Sequence, residues 1–314
     1  MFKFLAKPYR WAILYSVVLI AAMAFTLLDT FVLPKALAAV PKASTSTRTD
    51  PSSEEIFPDN PEDSEESSSE PVITENSYED ENIKITIETI RKHNTTIYVA
   101  DIRVSDPSYL KTAFADNVYG RNITAKTSDI AEENNAIFAI NGDFYGFRDA
   151  GYVLRNGVAY RDTARSRDND ALVIDADGNF SVVSEGEISL DKLSDMGAWQ
   201  VFSFGPALVV DGELTVDSSS EVTRSMASNP RTAIGQISPL HYIAIVSDGR
   251  TRESAGLSLL ELAQEFLERG CTIAYNLDGG GSSTMYFNGE VINKPTSGKR
   301  ISERAVSDIV YIGY

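Results

Sequence analysis

Between Asn276 and Met285 the chain reads Asn276-Leu277-Asp278-Gly279-Gly280-Gly281-Ser282-Ser283-Thr284-Met285, an apolar segment that ends in an acid, three glycines and three hydroxyls. A carboxylate can take or give a proton or attack an electrophilic carbon, while hydroxyls and backbone amides can hold an oxyanion. Consecutive glycines carry a high entropic cost on folding and are kept where the backbone must approach something closely or take positive φ. The combination predicts a loop that holds an oxyanion or a sugar. A glycine-rich connection with no ligand is the plainer alternative, weakened by the functional bias of long irregular loops in compact domains.

Two further acids follow the same pattern. Ala136-Ile137-Phe138-Ala139-Ile140 runs into Asn141-Gly142-Asp143-Phe144-Tyr145-Gly146, and Ile243-Ala244-Ile245-Val246 runs into Ser247-Asp248-Gly249-Arg250. One such Asp reads as a turn or cap; three of them, each where an apolar run stops, predict a shared site on loops held by a rigid scaffold. Basic residues complete the set: Asn229-Pro230-Arg231-Thr232, then Lys299 and Arg300, then Ser302-Glu303-Arg304 with Asp308 in the following run. Arg suits phosphate because its planar fork offers paired, permanently charged donors, although any one Arg is equally consistent with a structural ion pair. Asp143, Asp248, Asp278 and Asp308 together also offer an oxygen-rich set for Ca²⁺ or Mg²⁺, without EF-hand spacing. No metal or other cofactor is required by this reading.

Strands must position these residues. Ser258-Leu259-Leu260-Glu261 matches a capping box, apolar residues recur at helical spacing from Leu259 to Leu267, and Gly270 can end that helix near Arg269. The segment 271–277 then reads as a buried strand, and Met285-Tyr286-Phe287 with Asn288-Gly289 as a strand entering a hairpin. The glycines therefore join strand to strand, which excludes a dinucleotide fingerprint or P-loop, since both open a helix toward phosphates. Period-two and β-branched runs recur at 83–90, 96–104, 136–140, 171–175, 180–183, 207–210, 232–237, 241–247 and 306–312, with helices predicted at 105–114, 127–134 and 259–269. These define an α+β, strand-rich fold of curved, largely antiparallel or mixed sheets with a few packed helices, and no internal repeat.

The ends bound where the domain works. The uncharged run 11–28 follows Lys3, Lys7 and Arg10 and is long enough to span a bilayer, so 1–41 reads as a basic cytoplasmic end plus an uncleaved signal anchor. Ala36-Leu37-Ala38 raises a removed signal peptide as the rival. From 42 to 82 the chain has two basic and thirteen acidic residues among Ser, Thr and Pro, which predicts a disordered acidic linker. The remaining 83–314 is enough for one large domain outside the membrane. The formal net charge of −17 argues against a nucleic-acid partner, because phosphate-backbone affinity rests on clustered Lys and Arg. Cys271 is the only cysteine and lies in an apolar run, which points to a core residue rather than a nucleophile. His93 and His241 carry no partner pattern, so a Ser-His-Asp mechanism is a poor fit.

The ordered motifs at Asn141-Gly142-Asp143-Phe144-Tyr145, Asn229-Pro230-Arg231-Thr232-Ala233-Ile234-Gly235, Ser247-Asp248-Gly249-Arg250, 276–285 and Ser302-Glu303-Arg304 resemble the phosphodiester glycosidase family, over essentially all of 83–314. A bacterial cell-surface branch associated with exopolysaccharide is the nearest in kind, the chain having a membrane stalk and no cysteine-rich appendage. The resemblance implies hydrolysis of a sugar-1-phosphodiester at the anomeric carbon in an envelope or extracellular glycan, by a single-pass protein of the cell membrane. It implies Asp278 or Asp143 as base or nucleophile, Asp248 as an orienting acid, and Arg231 and Arg304 on the phosphate. Asn141, Asn276, the amides of Gly279, Gly280 and Gly281, Ser282 and Ser283 would line the same anion. A non-catalytic surface binder of phosphate-linked glycans and a metal-dependent phosphodiesterase-like hydrolase are the other readings.

Overall fold

The structure is a computed structural model that describes residues 8–40, 70–220, 228–298 and 300–314. Helix α1 (Pro8–Phe31) is followed by β1 (Lys35–Ala39), β2 (Val72–Ile73), β3 (Ser77–Glu79), β4 (Ile83–Lys92), β5 (Thr95–Val104), β6 (Leu110–Phe114) and β7 (Val118–Arg121). Next come α2 (Thr127–Glu133), β8 (Phe138–Asn141), β9 (Val153–Arg155), β10 (Val158–Arg161), β11 (Asp170–Asp175), β12 (Phe180–Ser184), α3 (Leu190–Asp195), β13 (Ala198–Phe202), β14 (Ala207–Val210) and β15 (Glu213–Leu214). The chain closes with β16 (Arg231–Ser238), β17 (His241–Ser247), α4 (Leu259–Glu268), β18 (Ile273–Asn276), β19 (Met285–Phe287), β20 (Glu290–Val291), β21 (Thr296–Ser297), β22 (Arg300–Ile301) and β23 (Asp308–Ile312).

A nine-stranded sheet, ordered β15-β14-β18-β16-β17-β5-β4-β3-β2, carries the domain, and two five-stranded sheets, β20-β19-β8-β23-β6 and β10-β9-β13-β11-β12, pack on it. The described ladders are antiparallel, as in β16 with β17 and β8 with β23, which settles the fold as α+β and strand-rich. Alternation along β4 places Ile83, Ile85 and Ile87 in the core, where they meet Ile140, Phe138, Val310 and Met285 of the smaller sheet. The opposite face of the large sheet receives α4 through Leu262 and Phe266 on Ile97, Ile243 and Ala233. Ser258 accepts from the Glu261 amide at 3.1 Å and Glu261 accepts from the Ser258 amide at 2.8 Å, the reciprocal cap expected for this helix. Gly235 makes the close approach possible, since a Cβ there would lie 2.8 Å from the Phe266 ring. Helix α2 covers the outside of the β8–β23 sheet through Ile130 and Ala131.

The register gathers the chemistry at one end of the two main sheets. Asn276 at the end of β18 pairs with Ala233 near the start of β16, and Arg231 pairs with Ser247 at the end of β17. In the facing sheet Asn141 at the end of β8 pairs with Ile309 at the start of β23.

Two expectations are corrected. The segment 105–114 is not a helix: Asp106 accepts from the Ser108 amide at 2.8 Å to cap a single 3₁₀ turn, and Leu110–Phe114 runs as an edge strand on β23. Its helix-like apolar spacing yields to pairing with a strand distant in sequence. The acidic linker does not extend to residue 82 either, because β2 and β3 extend the large sheet and Tyr78 is buried in its core; residues 42–69 of that linker lie outside the described residues. Along α1, Tyr9–Phe31 is apolar and long enough to cross a membrane and none of its most apolar stretch is buried against the domain.

Candidate active site

Three consecutive structural choices build the glycine loop. Strand β18 ends at Asn276, the chain passes Asp278, and residues Gly280–Ser282 make one 3₁₀ turn before β19 begins. Gly280 has φ +63°, a conformation that favours glycine, while the Arg250 guanidinium that a Cβ would meet at 2.7 Å is the flexible end of an exposed side chain. A Cβ on Gly279 would meet the Pro230 carbonyl at 2.8 Å. The Gly280 amide donates to that same carbonyl at 2.8 Å, and the Ser283 amide donates to Gly280 at 3.3 Å. The expectation that Gly280 offers its amide to an anion is therefore corrected: the glycine admits Arg250 beside the loop, and its N–H is occupied.

Asp278 stands at the centre of a compact cluster. Its Oδ2 accepts from Ser282 Oγ at 2.6 Å and from Arg304 Nη2 at 2.6 Å. Arg304 also donates through Nε and Nη2 to Ser282 Oγ, at 2.9 and 2.6 Å. Burial pushes the Asp278 carboxyl above the ordinary Asp range, while Arg304, the Ser282 hydroxyl and Arg148 pull it back. The Arg304 side chain is 42% exposed and that of Asp278 13%, so the pair sits at the surface with the guanidinium outermost. Arg304 lies 6.0 Å from the Phe144 ring centroid, and Arg148 sits over the same ring at 5.6 Å and over Phe204 at 4.7 Å. Burial lowers the Arg148 pKa, the neighbouring charge of Arg165 adds to that, and Asp143 and Asp278 oppose it. Arg148 and Arg165 are tied to adjacent carbonyls, Ser203 at 3.0 Å and Phe204 at 3.1 Å. Cations set side by side beside a carboxylate favour an anionic visitor.

Asp143 goes elsewhere. Its Oδ1 accepts from the Tyr145 amide at 2.9 Å, and its Oδ2 accepts from Arg155 Nη2 at 3.0 Å and from the Ser203 amide at 3.2 Å. Arg155 donates from Nε and Nη2 to Asp308 at 3.0 and 2.9 Å, gives Nη1 to the Leu154 and Val201 carbonyls, and lies 4.0 Å over the Phe202 ring. Asp143, Arg155 and Asp308 are all buried. Burial pushes the Asp308 carboxyl up to about 7 against the pull of Arg155. Gly142 is required here, since a Cβ would meet the Asp308 carboxylate at 2.3 Å. A guanidinium thus fills the space between two of the acids considered for Ca²⁺ or Mg²⁺, and among the described residues no group of three or more His, Cys, Asp and Glu is arranged to hold a metal ion.

The other expected residues divide the same way. Asn141 is a brace: it donates to the Asp278 carbonyl at 2.7 Å and accepts from Thr232 Oγ1 at 2.8 Å and the Thr284 amide at 3.2 Å, locking the ends of β8, β16 and β18 together. Asn276 donates to the Gly205 carbonyl at 2.8 Å. Ser282 and Ser283 are both buried, but of the two it is Ser282 that bonds Asp278 and Arg304. Arg231 donates through Nε to the Leu257 carbonyl at 2.9 Å. Asp248 accepts from the Lys294 amide at 2.8 Å and lines a cleft of about 300 Å³ with Tyr98, Arg252 and Lys294. Burial raises its pKa as well. Lys299 lies outside the described residues. Arg148, Arg155 and Arg165 were not anticipated. Arg155 could have been found as a lone charge ending the apolar run Tyr152-Val153-Leu154, and Arg148 as the cation closing Phe144-Tyr145-Gly146-Phe147.

Residues 134–313 match the sequence profile of the phosphodiester glycosidase family, more than half of the chain. The chain belongs to that family. A prophage-derived uncharacterized protein of Bacillus subtilis, YomE, is 34% identical over 191 residues, covering 59% of this chain and 29% of that protein. The human N-acetylglucosamine-1-phosphodiester alpha-N-acetylglucosaminidase is 39% identical over 66 residues, 21% of this chain and 13% of that enzyme. The chain thus spans less than a third of the length of the curated relatives it matches. The catalytic domain of the zebrafish enzyme of that name, solved in a form auto-inhibited by its pro-peptide, superposes with a TM-score of 0.59 at 22% identity, over 74% of this chain and 83% of the other. A hypothetical protein from Synechocystis superposes with a TM-score of 0.52 at 16% identity, over 74% and 62%. At these identities the two structures establish a shared fold.

Proposed function

We propose that this protein hydrolyses the glycosidic bond of a sugar-1-phosphodiester in an envelope or extracellular glycan, from a domain held outside the cell membrane by α1. The observation that carries the reading is the Asp278–Ser282–Arg304 cluster. Its carboxylate keeps Oδ1 open and its guanidinium keeps Nη1 open among the described residues, with Arg148 beside them.

The chemistry follows from what is present. A phosphate monoester leaves readily at neutral pH, so no strong general acid is needed, and the work is to hold the departing phosphate and activate water. Arg304 and Arg148 bind the phosphate oxygens. Asp278 Oδ1 takes a proton from water as the water oxygen bonds to C1; the C1–O bond breaks and its electron pair leaves with the phosphate. A covalent glycosyl-Asp278 route would need a second carboxylate as base for its hydrolysis, and Asp143 is already held by Arg155. A single displacement with inversion at C1 is the route this reading takes. The Asp248 cleft is suited to the remote part of the substrate.

The test is incubation of the chain with a panel of sugar-1-phosphodiesters, following free sugar and its anomeric form by NMR. Release of the inverted anomer supports the mechanism and retention overturns it. Binding without release from any member would make the protein a glycan binder.

A further inference from the structure

Strand β1 begins four residues after the membrane-length helix ends, and it does not hang free. Lys35 pairs with Arg121 and Ala36 with Gly120, so the chain leaving α1 adds directly to β7 of the domain. Asn122 Nδ2 donates to the carbonyls of Thr30 and Leu33, at 3.2 Å each, fixing the last turn of α1 to the end of β7. Ala38 packs against the buried cluster of Phe114, Tyr119, Tyr145 and Val153. The Asn122 amide in turn donates to the Gly146 carbonyl at 3.4 Å, and Arg121 pairs with Asp149 at 2.5 Å. Residues 146 and 149 both belong to the loop 144–149 that carries Phe144 and Arg148, one wall of the candidate site. Phe147 in that loop is 43% exposed and stacks on Phe144 at 4.6 Å. From the end of α1 to the aromatic wall there are thus two contacts and a few residues, a span on the order of 20 Å at 3.8 Å per Cα step.

We propose that the site works against the membrane surface, on a sugar-1-phosphodiester whose other ester carries a membrane lipid. This rests on the hydrolase reading above and adds the class of aglycone. A domain on a free tether would sample soluble glycans in all directions. One clamped through β1 and Asn122 presents the loop 144–149 to the bilayer, where exposed Phe147 can enter the headgroup region and Arg148 and Arg304 meet a phosphate held at that depth.

The experiment uses the full chain in vesicles, beside a variant with about twenty Gly/Ser residues inserted between Leu33 and Pro34. The insert leaves β1 on β7 and adds a mean reach of about 25 Å. Phe147→Cys in each carries a nitroxide; Cys271 is buried, with its thiol pushed up to about 12, and does not compete for the label. In the native spacing the label should collide mainly with lipid-dissolved oxygen, and the insert should shift it at least threefold toward a water-soluble nickel chelate. The native chain should cleave a lipid-linked sugar-1-phosphodiester in the same vesicles, and the insert should slow this at least threefold with no change on a short water-soluble diester. Equal label accessibility in the two chains overturns the proposal. Cleavage of the soluble diester without cleavage of the lipid-linked one overturns it while the hydrolase reading stands. Failure to cleave either removes both.

Discussion

Two Asp–Arg clusters, Asp143–Arg155–Asp308 and Asp278–Ser282–Arg304, differ in how far they are closed off from solvent. Asp143 and Asp308 meet Arg155 with side-chain exposures of 2%, 0% and 1%, whereas Asp278 meets Arg304 at 13% and 42%. In the first, Arg155 reaches its partners from inside strand β9 and its donors go to carboxylates and to strand carbonyls. In the second, Arg304 arrives from the loop before β23 and uses only one edge of its fork. In this molecule the arginine delivered by a strand is sealed between its carboxylates, and the one delivered by a loop stays open to solvent on one side.

The largest expected effect lies in the strut. Arg155→Ala removes the cation that buried Asp143 and Asp308 both pair with, a loss of about 3–5 kcal/mol, and should lower the urea midpoint sharply or prevent folding. Replacing Asp143, Arg155 and Asp308 together by apolar residues of similar volume should restore most of that loss, because the cost is an unpaired charge rather than a missing attraction. Should the single variant melt like the native chain, the contrast between the clusters would collapse. The opposite signature belongs to Asp278→Asn. Turnover of a sugar-1-phosphodiester should fall about 10³-fold while ligand binding persists and the melting temperature holds or rises, since a buried charge with a raised pKa is removed. Stopped kinetics beside calorimetric binding would separate the two.

The sequence carried the scaffold well because its signals were local. The cap at Ser258 and Glu261, the alternation in 83–90 and the hairpin at Asn288-Gly289 all sit within a few residues of what they specify. The segment 105–114 misled because what fixes it as a strand is β23, about two hundred residues later. The site was hidden for a different reason. That strand ends carry acids was legible; which of them would meet an interior arginine and which a surface one was not, since Arg155 and Arg304 lie only 12 and 26 residues from Asp143 and Asp278 but no short-range pattern pairs them. At the glycines what comes close is other parts of the same chain, the Pro230 carbonyl at Gly279 and Arg250 at Gly280, and no local pattern names either.

Arg304→Gln should have a smaller and more diagnostic effect than loss of Asp278. Burial raises the Asp278 pKa and Arg304 is the largest influence opposing it, so its removal moves that pKa further up. If Asp278 acts as the ionised base, the acid limb of the kcat/KM profile should shift to higher pH, with KM rising about tenfold as the phosphate loses its fork. Arg304→Lys should recover the pH profile better than KM, because an ammonium supplies the charge without the paired donors. An unshifted acid limb in Arg304→Gln would assign the titration to another group.

The last effect distinguishes the strut by its sign. Most paired carboxylates have folded pKa values below their unfolded ones and lose stability on acidification. For Asp308 the shift runs the other way, from an ordinary 3.8 up to about 7. Between those limits the native state binds a proton that the unfolded chain has released, so stability falls as pH rises from about 4 to 7, with a slope of up to about 1.4 kcal/mol per pH unit for one proton. Below that window both states are protonated at this position, and above it neither is, so the contribution levels off on each side. Glu265, Asp80 and Asp106 are shifted downward and contribute with the opposite sign, so the signal is the difference between the native chain and Asp308→Asn. Urea midpoints at pH 5 and 7.5 should show the native chain gaining stability relative to Asp308→Asn as the pH is lowered. A difference independent of pH would mean that Asp308 is ionised throughout and that Arg155 fully offsets its burial, which would make the interior cluster an ordinary ion pair.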